Sequence, residues 1–328
     1  MCMEDIPHDL YHAAETALRD CMALKQDEVL LVITDAEKEL IGQALWYAGR
    51  ELSREPVLMM MNPRKENGEN LPPLIEEAMK KSDVVIIPTA KSATHTDARI
   101  NACAAGARVG TMPGITQDTM ERCFSVDYKK IAERTIKLND IMTDANDVHI
   151  TTPAGTDIKF SIKGIKGIAS TGIVSEPGKF GNLPSGESYL MPVEGDAEGV
   201  FIVDGSMAGL GLIEDDEKLT IKVEKGFATD ITGGEAAKKL IKLLEPHGKP
   251  ARNIAEFGVG TNDGARVIGE ILEDEKVMGT VHLALGNNKS MGGTVGVQLH
   301  LDGIMMNPSF TLDGKEIMKD GKFLIDLD

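Results

Sequence analysis

Through residue 145, short continuous apolar runs alternate with segments whose apolar residues recur at helical spacing. The runs at 28–34, 56–61, 83–88 and 107–112 read as strands, and 10–25, 36–53, 74–81 and 96–105 read as helices. Strands apolar on both faces, set between amphipathic helices, predict an α/β N-terminal domain with an open, mostly parallel sheet. A helix over 128–142 leads out of it. From residue 149 onward glycine is dense and short alternating strands dominate, at 157–162, 199–204 and 218–223, with helices predicted at 234–244 and 264–271. This pattern predicts an α+β C-terminal domain with a mixed or antiparallel sheet. The domains are drawn as 1–145 and 146–328.

Three strand-like segments of the second domain share a peculiarity. In 254–260, Ala255, Phe257 and Val259 share one face and Glu256 points the other way. In 281–285, Val281, Leu283 and Leu285 form the apolar face, opposite His282 and the small Ala284. In 295–302 the apolar face is Val295, Val297, Leu299 and Leu301, and the other carries Gly296, Gln298, His300 and Asp302. Two residues apart on a strand, His300 and Asp302 leave one face about 7 Å apart at the backbone, so both reach one ion. Imidazole with carboxylate suits Zn, Co, Mn or Fe(II). The loop 181–187, rich in Gly and Pro, ends in a further carboxylate, Glu187, and a glycine-rich run over 286–293 carries Lys289. In the first domain, His95 and Arg99 lie one helical turn apart, a spacing that suits either substrate contact or local capping and pairing.

Composition narrows the function. A net charge of −17 repels phosphate backbones and anionic lipid, so no nucleic-acid or membrane partner is expected. Four scattered cysteines (Cys2, Cys21, Cys103, Cys123) suit neither a disulfide framework nor a zinc ribbon. Residues 1–9 lack the apolar core of a signal peptide, and no apolar run approaches the roughly 20 residues that cross a bilayer. A cytoplasmic protein is expected. Neither a G-x-G-x-x-G, a P-loop nor a G-x-S-x-G elbow is present, which removes the motif basis for nucleotide binding and for a serine triad.

The segments 182–187, 255–262, 282–286 and 300–302 occur in the order seen in the aminopeptidase T and aminopeptidase S metallopeptidases, and 94–113 also resembles that family. The resemblance implies a homodimeric, two-metal aminopeptidase acting on peptides or small molecules. Glu187, Glu256, His282, His300 and Asp302 would hold two divalent ions, Zn, Co or Mn. These ions would lower the pKa of a bridging water and polarise the scissile carbonyl, with Glu187 or Glu256 moving the proton. Where that family carries a tyrosine, seven residues after His282, this chain has Lys289, a cation suited to an oxyanion or a carboxylate. The alternative is an Fe(II) ring-cleaving dioxygenase, since the 2,5-dihydroxypyridine dioxygenases resemble the same peptidases. There His282, His300 and Asp302 would form a facial triad and the two glutamates would be incidental.

Overall fold

The computed structural model describes residues 3–327, so Cys2 lies outside the described residues. The chain divides into two compact units, residues 1–132 with 172–185, and residues 133–171 with 186–328.

The first unit is built on a five-stranded parallel sheet in the order Glu55–Met61, Val29–Asp35, Val84–Thr89, Arg108–Pro113, Phe180–Asn182. The apolar runs became strands because helices such as Glu39–Leu52 and Asp97–Ala104 cover them, leaving Leu30, Val32, Val85 and Ile87 essentially inaccessible. The fifth strand comes from residues drawn into the second domain by sequence. Phe180–Asn182 pairs with Arg108–Pro113 and joins this sheet as its edge. Three side chains of that neighbourhood interlock: Thr94 and Thr111 hydroxyls both donate to Asn182 Oδ1, at 3.0 and 2.7 Å. Arg99 also turns inward, donating to Thr94 O at 2.7 Å and lying 3.9 Å from the Phe180 ring centroid. His95 precedes the helix, whose N-cap is Thr96.

The second unit holds two antiparallel sheets. One has eight strands, with Glu198–Val203, Asp157–Ser161, Asp147–Thr151 and Ser309–Leu312 at its centre. The other has seven, in the order Gly211–Leu212, Ser206–Met207, His300–Met305, Val281–Gly286, Ile254–Gly260, Glu187–Leu190, Ile168–Ser170. Their inner faces share one apolar core, in which Phe257 of the seven-stranded sheet contacts Phe160 and Phe310 of the other at 5.4 and 5.7 Å between ring centroids. The helix Gly234–Leu244 adds Leu240 and Leu244 to it.

Two predicted elements fail. Residues 264–270 form a turn-rich loop and only Ile271–Asp274 is helical, because Asp274 takes the Ile268 and Gly269 amides with its carboxylate and Glu273 takes that of Arg266. The predicted strand 295–302 begins only at His300 and runs to Met305. Its first half is drawn away into a glycine-rich loop, where Asn288 Oδ1 accepts from the Val295 amide and Asn287 Nδ2 donates to Val297 O. The shared face of Gly296, Gln298 and His300 therefore does not form; that of His300 and Asp302 does.

Candidate metal centre

The outer face of the seven-stranded sheet carries the chemistry. Strand alternation puts Phe257, Val259, Val281, Leu283, Leu285 and Met305 in the core and sends Glu187, Glu256, His282, His300 and Asp302 to the other face. Register then gives each of these five a small neighbour across the strand. Glu187 lies opposite Gly260, Glu256 and Asp302 flank Ala284, His282 lies opposite Gly258, and His300 opposite Gly286. Small neighbours leave room for the long polar side chains to lie over the sheet and meet. A Cβ at Gly258 would come within 2.0 Å of His282 Nε2, so the imidazole occupies the volume that a side chain there would need.

The five residues named from sequence are thus brought together, in a continuous chain of contacts. His282 Nε2 lies 3.3 Å from Glu256 Oε1 and 3.6 Å from Glu187 Oε2, while His300 Nε2 lies 3.3 Å from Glu256 Oε2 and 3.4 Å from Asp302 Oδ1. Glu256 therefore touches both imidazoles, one with each oxygen. The polar face does not face water: Glu187, Glu256 and Asp302 are at most 7% exposed and His282 is inaccessible. Only His300 keeps a partly open side chain.

Lys289 does not join them. It is exposed on the turn Lys289–Met291, makes no ion pair among the described residues, and lays its side chain against Gly296. The cation inside the cluster is Lys276, 1% exposed, whose Nζ lies 2.7 Å from Glu187 Oε1 and also contacts Glu275. Sequence reading passed over both Glu275 and Lys276, because a run such as Glu-Asp-Glu-Lys reads as a solvated loop. The available signal lay elsewhere, in the alternating glycines after Glu256 that clear space over the sheet.

Electrostatics bind the cluster together. Desolvation disfavours charge on His282, yet Glu256, Glu187 and Asp302 outweigh it and lift its pKa to about 9. His300 is raised well above its usual value by the same contest, with Asp302 the strongest of the opposing carboxylates. Burial raises Glu275 to about 8, with Lys276 working against the shift. Tyr189, on the Glu187 strand, is pushed up by burial and then by the charges of Glu187 and Glu256. The raised imidazoles serve as counter-cations to the carboxylates, and a divalent ion held by His282 and His300 would have to displace their protons.

The residues fit a metal ion. Ligand atoms of Glu256, His300 and Asp302 lie within 4.8 Å of one another, as do those of Glu187, Glu275 and His282. Three buried polar atoms of the cluster, Glu187 Oε2, His282 Nδ1 and Asp302 Oδ1, make no hydrogen bond, a cost that a bound cation relieves. His300 is pre-set as a ligand. Its Nδ1 lies 2.8 Å from the Asn287 carbonyl, which only accepts, so Nδ1 carries a proton and Nε2, beside Glu256 and Asp302, is the nitrogen that would bind an ion once its own proton is displaced.

Comparison with known proteins favours one of the two readings over the other. Residues 9–325 match the family described as NicX, 2,5-dihydroxypyridine 5,6-dioxygenase. The curated 2,5-dihydroxypyridine 5,6-dioxygenase of Pseudomonas putida KT2440 is 26% identical over 199 residues, which span 57% of this chain and 57% of that protein. Among solved structures, 2,5-dihydroxypyridine dioxygenase from Pseudomonas putida KT2440 aligns with a TM-score of 0.80 at 18% identity, covering 97% of each chain. AmpT from Thermus thermophilus aligns with a TM-score of 0.71 at 16% identity, covering 97% of this chain and 99% of that one. At such identities these two likenesses show the fold.

The aminopeptidase reading is thereby corrected. The family match over nearly the whole chain carries a dioxygenase's name, and AmpT is related to this chain by fold alone. The hydrolase and protease assignments fall with it, as does a cofactor of two Zn, Co or Mn ions; a metal-dependent enzyme remains supported. No helix among the described residues is long and apolar enough to cross a membrane. The chain belongs to the 2,5-dihydroxypyridine 5,6-dioxygenase (NicX) family.

Proposed function

We propose that this protein is an Fe(II)-dependent ring-cleaving dioxygenase whose substrate is 2,5-dihydroxypyridine or a closely similar dihydroxylated nitrogen heterocycle. The observation that carries the reading, beside family membership, is the sharing of one carboxylate, Glu256, by both imidazoles, with Asp302 next to His300. His282, His300 and Asp302 then hold the ion, two neutral nitrogens and one carboxylate being a set suited to Fe(II) with coordination positions left open. A ferrous ion there supplies the redox chemistry by which dioxygen enters a dihydroxylated ring.

The chain's own residues do the remaining work. Asn287 O fixes the His300 tautomer through Nδ1. Glu256, in contact with both histidines, supplies a base for a substrate hydroxyl proton and is therefore not incidental. Burial of the Glu187, Glu256 and Asp302 carboxylates keeps bulk water from the reacting centre and strengthens every charge interaction within it. Free thiols at Cys21 and Cys103 suit a reducing, cytoplasmic setting, which also keeps iron ferrous.

The test is oxygen uptake. Protein reconstituted anaerobically with Fe(II) should consume dioxygen when 2,5-dihydroxypyridine is added, with loss of the ring's absorbance, and should release nothing from aminoacyl anilides. Iron-loaded protein that takes up no oxygen with any dihydroxypyridine overturns the proposal.

A further inference from the structure

The centre offers two ligand groups, and one of them already contains a cation. Glu187, Glu275 and His282 bring ligand atoms within 4.8 Å of one another, as Glu256, His300 and Asp302 do. In the first group the Lys276 ammonium lies 2.7 Å from Glu187 Oε1 and in contact with Glu275 Oε1. The lysine is delivered there by the backbone. Residues 276–277 cross directly over Gly260, where a Cβ would come within 2.1 Å of Val277 O, and the Asn262 amide donates to Lys276 O at 2.9 Å. A side chain at position 260 would lift this segment off the sheet.

We infer that Lys276 is the built-in occupant of a second cation position, and that it limits the centre to one metal ion. The inference rests on the metal centre proposed above and adds its stoichiometry. It accounts for an excess of carboxylates that would otherwise point to two ions. One ammonium and one divalent ion bring three positive charges to a cluster of four carboxyl groups, Glu187, Glu256, Glu275 and Asp302. A purely structural ion pair would leave its carboxylate satisfied, yet Glu187 Oε2 is buried without a hydrogen bond and lies 3.6 Å from His282 Nε2. That oxygen faces the His282 imidazole of its own ligand group, so Glu187 has one oxygen on the ammonium and one on the histidine side. Lys276 is a positioning residue, acting through the Glu187 and Glu275 carboxylates that it holds.

The experiment counts ions. The metal-free full chain is titrated with Zn(II) alone by calorimetry, and the ions retained after gel filtration are measured by mass spectrometry. Wild type should bind one ion tightly, Lys276→Met two, and Lys276→Met with Glu187→Gln one again. One ion in both wild type and Lys276→Met overturns the inference while leaving the metal centre standing, as do two ions in wild type. No ion in wild type instead removes the metal centre on which the inference rests. Should Lys276→Met fail to fold without metal, its melting curve with and without Zn(II) decides. Recovery of a cooperative transition by the ion supports the substitution of metal for ammonium, and no recovery counts against it.

Discussion

The imidazole of His282 lies across the backbone of Gly258, the residue paired with it on the adjacent strand, leaving no space there for a methyl group. Gly258→Ala should therefore displace the ring at its Nε2 end. Overpacking of this kind costs about 1–3 kcal/mol, and loss of ligand orientation lowers metal affinity by roughly 10–100-fold. Calorimetric titration with Fe(II) under anaerobic conditions, beside a melting curve, separates the two effects. Metal affinity equal to wild type would show that His282 is not a ligand.

In the proposed centre His300 would supply a ligand nitrogen from the open side. His300→Ala should abolish tight metal binding while the apo protein keeps its fold, since this side chain is partly exposed and buries little apolar area. In wild type, removing the ion with a chelator should lower the melting temperature, because a ligand present at 1,000 times its Kd stabilises by about 4 kcal/mol. In the variant, chelator should change nothing. A chelator-sensitive variant would place the ion elsewhere.

In the first unit, Arg108 holds Glu28 through two parallel bonds, at 3.0 and 2.6 Å, and donates also to Met22 O and Ala23 O. Burial raises the Glu28 pKa, but the Arg108 hydrogen bonds outweigh it, and the net shift is downward. A depressed folded-state pKa contributes stability that is present above the ordinary carboxylate range and is lost as pH falls through the folded value. Glu28→Gln leaves the guanidinium without its charge partner and should destabilise by about 3 kcal/mol at neutral pH. The gap between variant and wild type in urea unfolding should narrow as pH falls below the carboxylate range. A gap independent of pH would mean that packing, not charge, holds the pair.

Phe257 sits between Phe160 and Phe310 in the core that joins the two sheets of the second unit. Phe257→Ala should cost about 3–5 kcal/mol and, lying between Glu256 and Gly258 on one strand, should also loosen the metal site. Urea unfolding of the metal-free protein gives the first quantity and metal affinity the second. A cost under about 1 kcal/mol would mean that the surrounding core collapses into the cavity.

Much of this was legible in the chain. The apolar runs of the first unit are strands because a parallel sheet buried on both faces admits little else, and Glu256, His282, His300 and Asp302 leave one face because strand alternation is a local property. The segment 264–270 departs from the predicted helix because the Glu273 and Asp274 carboxylates take its backbone amides, an outcome that helical spacing does not report.

The sequence by itself determined the fold class of each half and the polar face carrying Glu256, His282, His300 and Asp302, and the family resemblance added Glu187 as a candidate ligand. The first two follow from the period of the apolar pattern and from residue type. Only the tertiary structure decided that Lys276 rather than Lys289 enters the cluster, that Glu256 joins both histidines, and that Phe180–Asn182 completes the first sheet. The physical reason is the same in each case. Burial of a charge, the crossing of one segment over another and the pairing of a distant strand depend on contacts between residues far apart in the chain, and no local pattern encodes them.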